Sequence, residues 1–261
     1  TAVIITGGID LSVGSVMGLV AIIAGLVLQA GYSWPLAFAA GLFTGLVCGV
    51  VNGALIAYVG LSPFVVTLGM LSLARSLAVV LSQNRMIYNL GPGGPSFKIW
   101  GSGHLLGLAN PVWFMVVIAI ILGVVLRVTP WGRHLYAVGG NEQAARLTGV
   151  PVDRVKLQAY ILSGLTAAIS AILIVGWQGS AINALGTGYE LRVIASTVIG
   201  GANLIGGEGG TYGAVIGAAL IEVIRNSLLM AGVDANWQGT FVGCFIILAV
   251  LLQRVRGRSR D

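Results

Sequence analysis

Charge is scarce in this sequence. Of its 261 residues only 8% are Asp, Glu, Lys or Arg, and none of these occurs between Asp10 and Arg75. A soluble domain carries about 25% charged residues, because its surface must face water on every side. The shortage excludes a soluble enzyme, a nucleic-acid-binding domain and a disordered chain. Histidine is also rare: His104 and His134 stand far apart, neither with a partner at metal-ligand spacing. The two cysteines, Cys48 and Cys244, sit inside apolar runs, where a thiol behaves as a small hydrophobe and two isolated ones make no disulfide framework. No lysine follows a glycine as a phosphate-cradling loop requires, and HExxH and CxxC are missing. The chain itself is therefore expected to hold no cofactor and to have no nucleic-acid partner.

Apolar sequence fills the gap. Hydrophobic residues make up 57% of the chain, with 40 glycines and a mean hydropathy of +0.96. The apolar runs are continuous and much longer than the alternating strands of an outer-membrane barrel. About 20 apolar residues are needed to cross the hydrocarbon core. Reading between turn signals predicts spans near residues 13–30, 35–59, 63–82, 111–127, 157–177, 191–205, 211–231 and 237–252. The expected fold is all-α: a polytopic transmembrane bundle of about eight spans in the lipid bilayer, with a short cytoplasmic helix. Residues 1–261 read as one transmembrane domain with a polar loop at 128–156 inside it. The chain starts at Thr1 within apolar sequence, so further residues are expected upstream.

The charges that do occur are grouped. Residues 127–156 hold five basic residues against two acidic ones, and the tail 254–261 holds four arginines against one aspartate. Each segment carries +3, which together is the whole formal charge of +6. The positive-inside rule places both, and so the C-terminus, in the cytoplasm. An even number of crossings must lie between them, which predicts that 191–205 crosses. Glycines are grouped too. Gly41, Gly45, Gly49 and Gly53 recur every fourth residue, as do Gly209, Gly213 and Gly217. That spacing lets helix backbones approach closely in lipid.

Four polar places stand out. In Thr6–Gly14, Gly7 and Gly8 can break a helix while Asp10 and Ser12 can cap the next one; the turn either serves only as a cap or lies beside a translocation path. In 131–151, Asn141 is an N-cap, Glu142 suits a helix start, Arg146 its end, and Gly149 its C′ position. Such a two-turn helix is too short to persist undocked. It rests on the lipid surface or forms a knob on a partner. The glycine-rich 200–210 reads as a tight membrane turn, its likeness to a phosphate loop being weak. Glu222 and Arg225, three apart, read as a neutralising pair facing the bundle interior.

Three segments carry a resemblance. GGIDLSVGS (7–15), GRHLYAVGGNEQAARLTGV (132–150) and GTGYELRVIASTVIGGANLIGGEGG (186–210) resemble, in the same order, the membrane subunits of ribose- and xylose-type ABC sugar importers. The resemblance implies a multi-pass permease of the bacterial inner membrane. It implies a cytoplasmic ATPase partner that uses ATP and Mg, a periplasmic sugar-binding protein, and a second permease copy or paralogue. It also implies that Gly140, Asn141, Glu142, Ala144, Ala145, Arg146, Leu147 and Gly149 form the surface that couples to the ATPase. The candidate path residues are Asp10, Ser12, Asn52, Gln178 and Glu190. The competing readings are an ion-coupled secondary transporter of small polar solutes, which would lean on Asp10, Glu190 and Glu222, and an intramembrane enzyme, for which no paired catalytic groups can be assembled.

Overall fold

The computed structural model describes residues 1–234 together with Trp237, Gly239, Thr240, Phe241, Gly243 and Cys244. The expected span 237–252 and the basic tail lie outside the described residues apart from those few. The described helices are α1 (Ala2–Ile5), α2 (Val13–Gln29), α3 (Trp34–Ala57), α4 (Pro63–Leu81), α5 (Gly94–Ser102), α6 (Asn110–Val128), α7 (Pro130–Gly140), α8 (Glu142–Leu147), α9 (Val152–Gln178), α10 (Tyr189–Ile199) and α11 (Thr211–Met230). A two-stranded hairpin, β1 (His104–Leu105) and β2 (Leu108–Ala109), joins α5 to α6. Five of the helices, α3 to α7, carry a proline in their first turn. The missing N–H costs nothing there and the fixed φ favours entry into the helix.

The all-α class holds, but the span count does not. Among the described residues, five helices are long and apolar enough to cross a membrane: α3, α4, α6, α9 and α11. About eight were expected. The helix in 13–30 has 17 residues, about 25 Å at 1.5 Å per residue. The run 191–205 fares worse. Its helix, α10, stops at Ile199 after 11 residues, and the apolar residues that follow belong to a glycine-rich turn. The even-crossing argument counted 191–205 as a crossing, and the 11 residues of α10 are too few to cross as a helix by themselves.

The centre of the bundle is α2, with Val20, Ala21, Ile22, Ala24 and Leu28 fully buried among α3, α4 and α9. Helices α3 and α9 run antiparallel and touch through small residues. A Cβ on Gly49 would lie 2.6 Å from Tyr160 O, one on Gly41 3.1 Å from Ile172 Cδ1, and Gly45 and Gly164 face each other's carbonyls. The expected glycine face on α3 is thus a helix–helix seam. The second triplet is only partly one: Gly213 and Gly217 abut α10, whereas Gly209 precedes α11 and packs on Ala202. A second core cluster gathers Leu126, Leu135, Val138, Ala145, Val152 and Val155 at the end of the bundle where α7 and α8 lie. At the opposite end Trp100 packs against Trp34, Phe38 and Phe114, at centroid separations of 5.3–5.9 Å. Glu222 and Arg225 do pair, at 3.6 Å, but the Glu222 side chain is 53% exposed. Glu222 therefore faces outward, while Arg225 is part-buried with its Nε shielded.

Candidate functional site

The turn between α1 and α2 builds the first polar site. Gly7 takes a φ of +75°, open to glycine at little cost. The chain then reverses so that Asp10 precedes α2. Asp10 Oδ1 accepts from the Ser12 backbone N–H at 2.9 Å and from the Ser12 hydroxyl at 2.6 Å. Its Oδ2 accepts from the Ser163 hydroxyl, on α9, at 2.6 Å. Asn52 Nδ2, from α3, donates to Ser12 Oγ at 2.9 Å. Asn52 is 2% exposed, and its Oδ1 has no hydrogen-bond partner. Asp10, Ser12 and Asn52 therefore form one hydrogen-bonded network. Ser163 completes it, and nothing local in the sequence marked that serine: 153 residues separate it from Asp10.

Asp10 also lines a cavity of about 550 Å³ between α1, α6, α9, α10 and α11. Its walls are mostly apolar. Ser163, Thr166 and Ser170 place hydroxyls along the α9 wall, and Ser196 and Thr197 add two from α10. Thr166 and Ser170 donate to carbonyls of their own helix, so their oxygens remain free to accept. Among the described residues lining the cavity, Asp10 is the one charged side chain.

The other two path candidates stand apart from this network. Gln178 ends α9 and is exposed. Glu190 lies in the first turn of α10 and accepts from the Gly188 N–H at 3.3 Å; its Oε2 is buried against Gly14 without a partner.

The second site is α8. The Asn141 side chain caps it by accepting from the Ala144 N–H at 2.9 Å, and Gly149 follows it with a φ of +82°, as a helix stop requires. Charge pairs pin it to the start of α9. Glu142 accepts from Lys156 at 2.6 Å and Arg146 at 3.1 Å, and Arg146 also pairs with Asp153. The hydrogen bond from Lys156, with Arg146 beside it, holds the Glu142 carboxyl below the usual carboxylate range. Asp153, then Glu142, raise the Arg146 guanidinium. Gly140 and Gly149 flank α8, both unobstructed. Ala144 is exposed and Leu147 is 89% exposed. Ala145 is not part of that surface. It is 4% exposed and belongs to the core beneath α8. The glycine-rich turn 200–210 sits nearby: Gly207 N–H donates to Ile5 O at 2.9 Å, and the Tyr136 hydroxyl to Gly209 O at 2.8 Å. It is a packed turn tying α1, α7 and α10 together.

A bundle whose described residues include five helices long and apolar enough to cross a membrane has the architecture of a multi-pass membrane protein. Residues 1–250 match the family described as branched-chain amino acid transport system / permease component, and the chain belongs to that family. It is 41% identical over 253 residues to the probable ABC transporter permease protein y4mJ of Sinorhizobium fredii, covering 97% of this chain and 75% of that one. It is 40% identical over 255 residues to the ribose import permease protein RbsC of Bacillus subtilis, covering 97% and 79%. It is 36% identical over 252 residues to the autoinducer 2 import system permease protein LsrC of Salmonella typhimurium, covering 97% and 72%. No solved structure matches the chain significantly. The protein is the membrane permease subunit of an ABC-type importer, a transport subunit and not an enzyme. That sets aside both the ion-coupled transporter and the intramembrane enzyme.

Proposed function

We propose that this subunit carries a monosaccharide, or a polyol of similar size, through the cavity beside Asp10. The observation that carries the reading is the lining of that cavity: one carboxylate, a row of hydroxyl oxygens and no cationic side chain among the described residues. A neutral polyhydroxylated solute can donate to Asp10 and to Ser163, Thr166 and Ser170 in turn. A zwitterionic amino acid would bring a carboxylate with no cationic side chain to receive it. The relatives named for ribose and autoinducer 2 import support the same choice. Of Asp10, Ser12 and Asn52, Asp10 is the polar group that faces the cavity, and Ser12, backed in turn by Asn52, holds its carboxylate from behind. Affinity need not reside here, because a periplasmic binding protein delivers the solute.

The cluster Arg127, Arg133, Arg146, Arg154 and Lys156 supports a cytoplasmic position for the end of the bundle with α7 and α8. There the exposed face of α8, with Gln143, Ala144 and Leu147, docks on an ATPase that binds ATP and Mg. A second permease copy or a paralogue completes the path. ATP-driven closure of the motor tilts the bundle between outward- and inward-facing states. The test is uptake in liposomes holding the assembled transporter, with labelled ribose and labelled leucine offered through their binding proteins. Uptake of ribose that Thr166→Trp abolishes is the expected result. Uptake of leucine alone, or ribose uptake unchanged in Thr166→Trp, overturns the reading.

A further inference from the structure

Arg75 brings a charge into the bundle away from Asp10. Arg75 is the sole charged residue of α4, and a charge in a membrane helix persists only where it has partners. Its Nη1 donates to Asn183 O at 2.6 Å and to Leu185 O at 3.1 Å. Both carbonyls belong to the non-helical segment 179–188, which leads from α9 into α10. The guanidinium crosses α2 at Gly18, where a Cβ would lie 2.9 Å from Nη1 and 2.7 Å from Asn183 O. One turn earlier Gly14 lies under Gly186 O and Glu190 Oε2. The two glycines of α2 are thus the seat on which the segment rests.

The segment needs fastening, because its backbone groups have no helix to satisfy them. Irregular backbone in a membrane bundle is tolerated only where protein or a water-filled cavity surrounds it. Three ties supply this. Arg75 holds two carbonyls; Asn183 Nδ2 donates to Ser82 Oγ at 3.2 Å and Asn84 Oδ1 at 3.0 Å; Ala181 and Ile87 exchange backbone hydrogen bonds. All three run to α4 or to the chain just after it. The α10 helix that follows gives Val193, Ile194, Ser196 and Thr197 to the wall of the 550 Å³ cavity. One group is left unbalanced. Glu190 Oε2 is buried without a donor, although Arg75 is within electrostatic reach of it. The Arg75 Nη1 is committed to the carbonyls instead. A buried carboxylate oxygen without a donor is costly, so a shift that brought Glu190 to Arg75 would be compensated.

We propose that Arg75 is a two-position latch: it holds segment 179–188 and α10 against α2 and α4 in this arrangement, and exchanges the Asn183 and Leu185 carbonyls for Glu190 when α10 moves to change the cavity. Arg75 is a positioning residue, since it lies outside the cavity and acts through α10. The inference rests on the reading of that cavity as the solute path.

The experiment uses the complete transporter in liposomes, with Cys48 and Cys244 replaced by alanine and Ser82→Cys and Asn183→Cys introduced together. Oxidation with copper–phenanthroline ties the segment to α4. Uptake should fall at least tenfold on oxidation and return on reduction, with ATPase assembly unchanged. In a separate variant, Arg75→Gln should lower solute taken up per ATP hydrolysed about tenfold at normal assembly, while Arg75→Lys, which keeps a cationic donor, restores most of it. A bridged pair that transports at the reduced rate's full value, a pair that never bridges, or an unchanged uptake-to-hydrolysis ratio in Arg75→Gln each overturns the latch. Thr166→Trp separates the two readings. If it blocks uptake while the bridge does not, the latch alone fails; if it has no effect, the cavity reading fails.

Discussion

Replacing Gly49 by alanine adds one methyl group where α3 and α9 have no room for it. Its three nearest atoms are all backbone: Tyr160 O at 2.6 Å, Ile161 Cα at 2.8 Å and Tyr160 C at 3.2 Å. An ordinary carbon–oxygen contact begins near about 3.3 Å, so the helices must separate locally by roughly 0.7 Å. No flexible side chain can absorb that shift, and overpacking of this kind costs about 1–3 kcal/mol. Lipid offers no hydrophobic force to offset it. The control is Gly69→Ala in α4, where a Cβ meets nothing within 4 Å. Relief of glycine's entropic cost in a helix there contributes about 0.5–1 kcal/mol of stability. Thermal unfolding of the detergent-solubilised chain should therefore move in opposite directions for the two variants. At about 2–4 °C per kcal/mol for a chain of this size, Gly49→Ala should unfold several degrees below the parent and Gly69→Ala slightly above it. Equal midpoints for the two would refute the close-packed seam.

Leu147→Asp should abolish copurification of the ATPase and leave the unfolding midpoint unchanged, because Leu147 is 89% exposed; normal copurification would remove α8 from the coupling surface. Ala145→Glu should instead lower stability, since it buries a charge in the core beneath α8, and a midpoint equal to the parent's would contradict that placement. Asn141→Ala should cost about 1 kcal/mol through loss of the N-cap, read as faster amide exchange confined to α8. The carboxyl of Glu142 is held below its usual 4.5, so the stabilisation that its pairs with Lys156 and Arg146 give is fully present above pH 4.5. It should be lost as pH falls through the lowered value in the folded protein. Exchange protection of α8 should follow that course, and a Glu142→Gln chain should show a weaker dependence, the part left by the Asp153 pair with Arg146.

The sequence by itself determined what local chemistry can specify. Scarce charge and long apolar runs required membrane helices, and the four-residue glycine spacing on α3 required a close neighbour. Asn141 and Gly149 bounded α8 to within a residue, because caps act on the backbone beside them. Hydropathy, however, adds up composition and is blind to where a backbone stops being helical. It therefore counted 191–205 as a span, although α10 ends at Ile199 and a fastened, irregular segment precedes it. Helical periodicity on a six-residue element likewise left open which face turns inward, and only packing against Leu135, Val138 and Val155 placed Ala145 in the core. The polar contacts were the least legible. Ser12 meets Asn52 across 40 residues, Arg75 meets Asn183 across 108, and Asp10 meets Ser163 across 153. Such pairs depend on which helices become neighbours and in what register, and that is decided by backbone approach at the glycines of α2 and α3, through the tertiary structure alone.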